Sequence, residues 1–229
     1  FDYLRELSII IYTLWRLLMD DIKKPKIPLP YNGPKPQVAI ADIFIQDSFS
    51  KDDERLWVPL SRGRWSRPLC FNISQGYWVH LTKVIGGGFL SRHRHPAPVH
   101  GFVIKGSWRY LEHDWVATEG SYLFEPPGEI HTLVVDEDCE EMITLFHNSG
   151  ALLYCDENGK TINSTDVFDR VDAARKATIS YIESSILANN DGEKKISGTK
   201  RSVEEMVVAP TINDLTDRAF VQKWKSYII

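Results

Sequence analysis

The 229-residue sequence is poor in cysteine, in charge of one sign and in long apolar runs. Its three cysteines, Cys70, Cys139 and Cys155, are odd in number and widely spaced, which fits neither a disulfide framework nor a paired-cysteine zinc site. A reducing, cytoplasmic setting is the expectation. Lysine and arginine total 27 against 31 aspartates and glutamates, a formal charge of -4. Without a basic excess the phosphates of a duplex would go unneutralised, so nucleic acid is not an expected partner. No apolar run is long enough to span a bilayer, and acidic residues stand where a secretory signal would be basic. The triplet Gly86-Gly87-Gly88 lacks the lysine and the following helix of a phosphate loop. No segment repeats at a fixed period, which argues against a propeller or solenoid.

What remains is a globular composition, 43% hydrophobic and 25% charged, in a length that suits one large domain. Three stretches differ in texture. Residues 1–36 begin with FDYLRELSIIIYTLWRLLMD, a helix-favouring segment read as an arm on its own domain or a partner subunit, or as an interfacial membrane helix. The prolines of KKPKIPLPYNGPKP then deny helix and favour an extended connector. Position 1 is Phe rather than Met, which leaves open whether a segment precedes the numbered chain. Residues 37–163 carry short runs rich in Val, Ile, Phe, Trp and Tyr, among them VAIADIFI, YWVHLTKVI, GFVIKGSWRYLE and MITLFH. Broken by Gly, Pro and Asp, they predict an antiparallel sandwich or barrel, with Asn158-Gly159 as a hairpin turn.

Residues 164–229 turn helical. Ser164 or Thr165 is expected to cap a helix starting at Asp166 and fading near Asn189. NNDGEKKISGTKRS reads as a linker, and an apolar tail follows.

Five of the seven histidines fall between His93 and His131, so a site is sought there. On a strand, alternate residues face one side, and His93 and His95 in SRHRH then project together. Pro126-Pro127-Gly128 is a turn sequence that can return the chain and set His131 beside them. Three neutral imidazoles on one face of a metal leave positions open for water, substrate or dioxygen. His100, across a proline-containing turn, is open to three readings: a fourth ligand, a donor that orients substrate or a ligand imidazole, or packing. Tyr110 and Glu112 share the parity of Trp108 and are candidates for a proton relay; the alternative is a core tyrosine and a solvated glutamate. His113 is expected in an exposed turn, and His80 and His147 as satisfied core or rim histidines. Arg92 and Arg94 have the parity opposite to the ligand pair and are expected outside the cavity.

The run from Gly87 through His93, His95 and Gly106 resembles the first cupin motif, and Gly120, Pro126, Gly128 and His131 resemble the second. His100 stands where many cupins carry a glutamate ligand, and Val135 where asparagine is common. Over roughly Asp42 to Asp169 the chain is similar to the 2,4'-dihydroxyacetophenone dioxygenases. The resemblance implies an all-β cupin jelly-roll barrel with flanking N-terminal and C-terminal helices. It implies His93, His95 and His131 as ligands of Fe(II), with zinc, nickel or copper as other ions that imidazoles accept. The reaction it implies splits an aromatic hydroxyketone, with dioxygen, into a carboxylic acid and formate. Rival readings are a zinc-holding cupin sensor without turnover, and a cupin isomerase or cyclase using the metal as a Lewis acid. A homodimer is expected.

Overall fold

The computed structural model describes residues 10–16, 27–37, 39, 42–49 and 53–190. The chain divides into a unit of residues 1–41 and a unit of residues 42–229. In the first, residues 10–16 form a helix, α1, and residues 27–37 carry no regular structure. The remainder of the expected arm lies outside the described residues, as do the linker and the apolar tail.

The second unit opens with a single 3-10 turn, Glu54–Leu56. Fourteen strands follow: β1 (Val58–Ser61), β2 (Arg64–Asn72), β3 (Tyr77–Ile85), β4 (Gly88–Phe89), β5 (His93–Arg94), β6 (Val99–Lys105) and β7 (Ser107–Tyr110), then β8 (Ala117–Thr118), β9 (Tyr122–Glu125), β10 (Ile130–His131), β11 (Leu133–Val135), β12 (Glu141–Ser149), β13 (Ala151–Cys155) and β14 (Thr161–Asp166). A helix, α2 (Val167–Asn190), completes the described chain. The strands form an antiparallel sheet in the order β1-β2-β3-β12-β6-β9 and two smaller sheets, β10-β5-β13-β14 and β4-β11-β7-β8. This is the expected all-β jelly roll. No helix among the described residues is long and apolar enough to cross a membrane, and all three cysteines are free thiols.

Strand periodicity sorts the side chains. Along β6, Val99, Gly101 and Val103 are buried while His100, Phe102 and Ile104 face the other way. The inward residues join Trp108, Tyr110, Leu133, Val135, Met142 and Phe146 in a core between the large sheet and β4-β11-β7-β8. Burying each large aliphatic side chain contributes about 1.5–3 kcal/mol. The turn between β6 and β7 requires glycine, because Gly106 has a φ of +71° and a Cβ there would collide with the Glu141 carbonyl oxygen. The Asn158-Gly159 hairpin forms as expected, its backbone drawn in by Asp156 Oδ1, which accepts from the Asn158 and Lys160 amides.

Two expectations need correction. VAIADIFI has no strand among its described residues: Ile43 and Ile45 alternate as a strand would, yet they pack against an apolar cluster that includes Phe71, Trp78 and α2. Alternation reports which residues are buried and not whether a neighbouring strand exists. The cap of α2 is Asp166 and not Ser164 or Thr165, which still belong to β14. Asp166 Oδ1 accepts from the Phe168 and Asp169 amides at 2.8 and 3.1 Å, and Asp169 Oδ2 accepts from the Asp166 amide at 3.0 Å. This reciprocal box satisfies the first orphan donors of the helix.

From this cap α2 buries Val167, Ala174 and Thr178, with Val171 half-buried, at helical spacing against the sheet. Replacing Asp166→Ala is expected to cost about 1 kcal/mol and to lower the melting midpoint by a few degrees. An unchanged thermal melt would show that α2 starts without its cap.

Candidate metal centre

The centre is built on two very short strands. β5 is only His93–Arg94, paired with β10 through His131 opposite His93 and with β13 through Tyr154 opposite His93. His95 follows directly and, two residues on, keeps the side of His93. The Pro126-Pro127-Gly128 turn is tied back to this strand, since the Gly128 amide donates to the His95 carbonyl at 2.8 Å. Gly128 holds a φ of +97°, a conformation that favours glycine. The chain therefore returns with His131 beside the other two rings.

Ring centroids are 4.9 Å apart for His93 and His95, 4.8 Å for His93 and His131, and 5.5 Å for His95 and His131. One donor atom from each lies within 4.8 Å of the others. All three residues are at most 5% exposed. The His93 Nδ1–H donates to the Ser91 carbonyl at 2.7 Å, which leaves Nε2 as its lone-pair nitrogen. Burial, with His95 adding to it, lowers the His93 pKa to about 4. Burial also lowers His131 to about 3, although Glu125 pulls the other way. At neutral pH both rings therefore offer a lone pair and no charge.

A carboxylate adjoins the cluster. Glu125, at the end of β9, is 3% exposed, with Oε2 3.2 Å from His95 Nε2 and 3.5 Å from His131 Nε2. Its Oε1 accepts a 2.6 Å hydrogen bond from the Tyr110 hydroxyl, and the Tyr110 ring lies flat on His131 at 4.0 Å. Burial raises the Glu125 pKa, but the His95 contact, the neighbouring His131 ring and the Tyr110 hydrogen bond outweigh it and hold the group as a carboxylate. Burial and the Glu125 charge push the Tyr110 phenol well up, so it stays a donor.

The donor set fits a metal ion. His95 Nδ1, both ring nitrogens of His131 and Glu125 Oε2 are buried without a hydrogen-bond partner. Leaving that many polar atoms unsatisfied is costly. Two donors each about 2.0–2.2 Å from one ion lie roughly 3–3.5 Å apart, the separation found between Glu125 Oε2 and the two Nε2 atoms. His93, His95 and His131 can therefore hold a metal, with Glu125 placed to join or to flank it.

The centre opens on a small cavity that reaches solvent. Leu90, Val99, Leu133 and Phe146 supply much of its wall. His80, Asn148 and Arg170 line it too.

The other sequence candidates separate cleanly. Tyr110 reaches the cluster. His100 does not: it lies on the outward face of β6, its Nδ1 2.9 Å from the Tyr122 hydroxyl and its ring beside Phe124. The inward neighbour on that strand is Val99, and alternation sends His100 through to the other side of the sheet. Glu112 is also outside the centre. β7 ends at Tyr110, the turn breaks the parity, and the Glu112 carboxylate accepts from the Thr132 amide and hydroxyl at 2.7 and 3.0 Å. It anchors the residue after His131 and touches no reacting group.

His113, expected in the open, is half-buried against Trp115 with Nε2 3.0 Å from Glu129. His80 is the satisfied histidine expected: the Asn148 side-chain amide donates to Nε2 at 3.1 Å, so Nδ1–H donates to Ser66 Oγ at 2.7 Å. Arg92 and Arg94 reach toward the Asp156 carbonyl and the Thr161 hydroxyl, away from the cavity. Glu125 and Arg170 were missed. The position of Glu125 directly before the Pro-Pro-Gly turn was a usable signal; so was a lone arginine on the apolar stripe of α2.

An antiparallel jelly roll whose two sequence motifs converge as three buried imidazoles defines the class: the barrel has a cupin-like fold. Within that class, residues 46–153 match the ChrR cupin-like domain. No curated protein is significantly similar to the sequence. An RmlC-like cupin from Ralstonia eutropha JMP134 is 29% identical with a TM-score of 0.50, over 52% of this chain and 79% of that one. An acetylacetone dioxygenase from Acinetobacter johnsonii is 21% identical with a TM-score of 0.53, over 65% of this chain and 99% of that one, a likeness of fold.

Both lowered histidines titrate near 6.5 once unfolded. Below that pH the unfolded chain binds protons that the folded chain refuses, so stability is lost as pH falls through about 4 and about 3. In metal-free protein the urea midpoint should be flat above about pH 7 and fall steadily on acidification from about pH 6. A midpoint that ignores pH across this window would mean the rings are not desolvated.

Proposed function

We propose that this chain is a non-haem iron dioxygenase that cleaves the carbon-carbon bond of an aromatic hydroxyketone, of the 2,4'-dihydroxyacetophenone kind, to a carboxylic acid and formate. The observation that carries the reading is the juxtaposition of the three imidazoles and Glu125 with an apolar-walled cavity that reaches solvent. A purely structural metal site is closed by its ligands, whereas a reactive one keeps room beside the ion. Bound iron would supply chelation of the ketone and hydroxyl oxygens and electrons for dioxygen activation.

The protein's own groups do the rest. Glu125, ionised and held by Tyr110, is placed to accept the proton of a substrate hydroxyl. Tyr110 fixes both the carboxylate and, by stacking, the His131 plane. The apolar wall keeps bulk water from competing with the ring of the substrate. In the overall balance the ketone carbon gains one oxygen atom as carboxylic acid and the hydroxymethyl carbon gains the other as formate. The match to the ChrR cupin-like domain favours a second reading, a zinc-holding module without turnover.

Protein loaded anaerobically with Fe(II) and given 2,4'-dihydroxyacetophenone should consume one dioxygen per substrate. With ¹⁸O₂ one labelled atom should appear in 4-hydroxybenzoate and one in formate. Glu125→Gln should lower kcat by about 10²-fold or more while iron content holds. Zinc as the native metal, with no oxygen uptake from hydroxyketones or diketones, would establish the sensor reading instead. Turnover under nitrogen would point to an isomerase.

A further inference from the structure

α2 brings to the cavity a side chain that the proposed reaction does not use. Arg170 stands three residues after buried Val167 and four before buried Ala174, on the helix face turned to the barrel. Its guanidinium carbon lies 5.7 Å from the centre of the Trp78 ring, and it lines the same cavity as His93, His95 and Glu125. Nε is enclosed and has no hydrogen-bond partner.

No carboxylate among the described residues forms an ion pair with this cation. Glu125, the acidic residue of the cavity wall, is engaged by Tyr110 and the imidazoles. Burial pushes the Arg170 pKa down from the usual guanidinium value, and the Asp169 charge acts against this without forming an ion pair. His80 beside it is held neutral by burial and by this same cation. A guanidinium keeps its charge, and one drawn partly out of water without an ion-pair partner is destabilising.

We propose that Arg170 is the substrate-anchoring residue and that the molecule it binds carries a carboxylate. The guanidinium fork matches the two oxygens of a carboxylate, in a cavity whose wall holds a single permanent cation. A phosphate dianion would call for a second one. The inference narrows the hydroxyketone reading to hydroxyketones that also bear a carboxylate, with chelating oxygens toward the imidazoles and the anionic end toward α2. In that part it rests on the proposed function, whereas the anion site itself does not. Arg170 lies beyond residues 46–153, so it belongs to what this chain adds to the matched domain.

The test uses full-length metal-free protein without dioxygen, so that its outcome is independent of turnover. Benzoate and its neutral isostere benzamide are titrated by calorimetry, with acetate as a smaller carboxylate and inorganic phosphate as the competing anion. Benzoate should bind at least tenfold more tightly than benzamide, with a change in tryptophan fluorescence from Trp78 beneath the guanidinium. Arg170→Gln should abolish that preference and Arg170→Lys retain part of it. Without ligand, Arg170→Gln should melt at the same temperature as the parent or higher, where a merely structural arginine would lower it. No saturable binding of either carboxylate, equal affinity for benzoate and benzamide, tighter binding of phosphate, or a preference that survives Arg170→Gln overturns the proposal. Oxygen uptake failing while benzoate binds through Arg170 would sink the dioxygenase reading alone.

Discussion

The pairing of β5 with β10, locked by the amide of Gly128 on the carbonyl of His95, is the constraint on which the site depends. Two strands of two residues each would not hold together alone. They persist because β13 pairs with the other edge of β5 and because the flanking core is fully formed. The ladder puts His131 opposite His93, and the turn bond sets where the chain comes back. Three rings from two segments 36 residues apart in the chain are thereby fixed to a common point.

Once the rings are enclosed, electrostatics follows from burial. Water is removed from the imidazoles, so the charged forms of His93 and His131 are disfavoured and their lone pairs stay available. The same dry setting makes the Glu125 carboxylate effective, since the Tyr110 hydroxyl donates to it while bulk water is kept away. Several donor atoms are left with nothing to bind. A fold tolerates such a cluster where an ion repays the cost, which is why the unsatisfied atoms and the short inter-donor distances point the same way.

The cavity is chemically two-sided in character. One group of residues is the three imidazoles with Glu125, which could hold a metal ion; the other, Arg170 over Trp78 beside the neutral His80, comes from the helix after the matched domain and from the large sheet. The cap at Asp166 therefore matters beyond helix stability: one turn later the helix delivers the guanidinium. On the proposed reading this arrangement separates the groups that would hold a metal from the one that would select a ligand, as a barrel shared by many activities allows.

The sequence by itself determined the barrel class, the helix after it, and the imidazole triad, because alternation, turn residues and motif spacing act over a few residues and can be read locally. Tyr110 was readable from parity as long as its strand lasted. Beyond a strand end the same rule failed, since Glu112 followed a turn and became an anchor for Thr132; the direction of His100, left open by the proline-containing turn before it, was settled only by its place on the outward face of β6. Ile43 and Ile45 showed strand alternation while packing on a helix-backed cluster. Only the tertiary structure decided that Glu125 meets His95 and that Arg170 shares their cavity, since each contact joins elements distant in sequence, and a side chain's charge or donor atoms do not say which remote surface will enclose them.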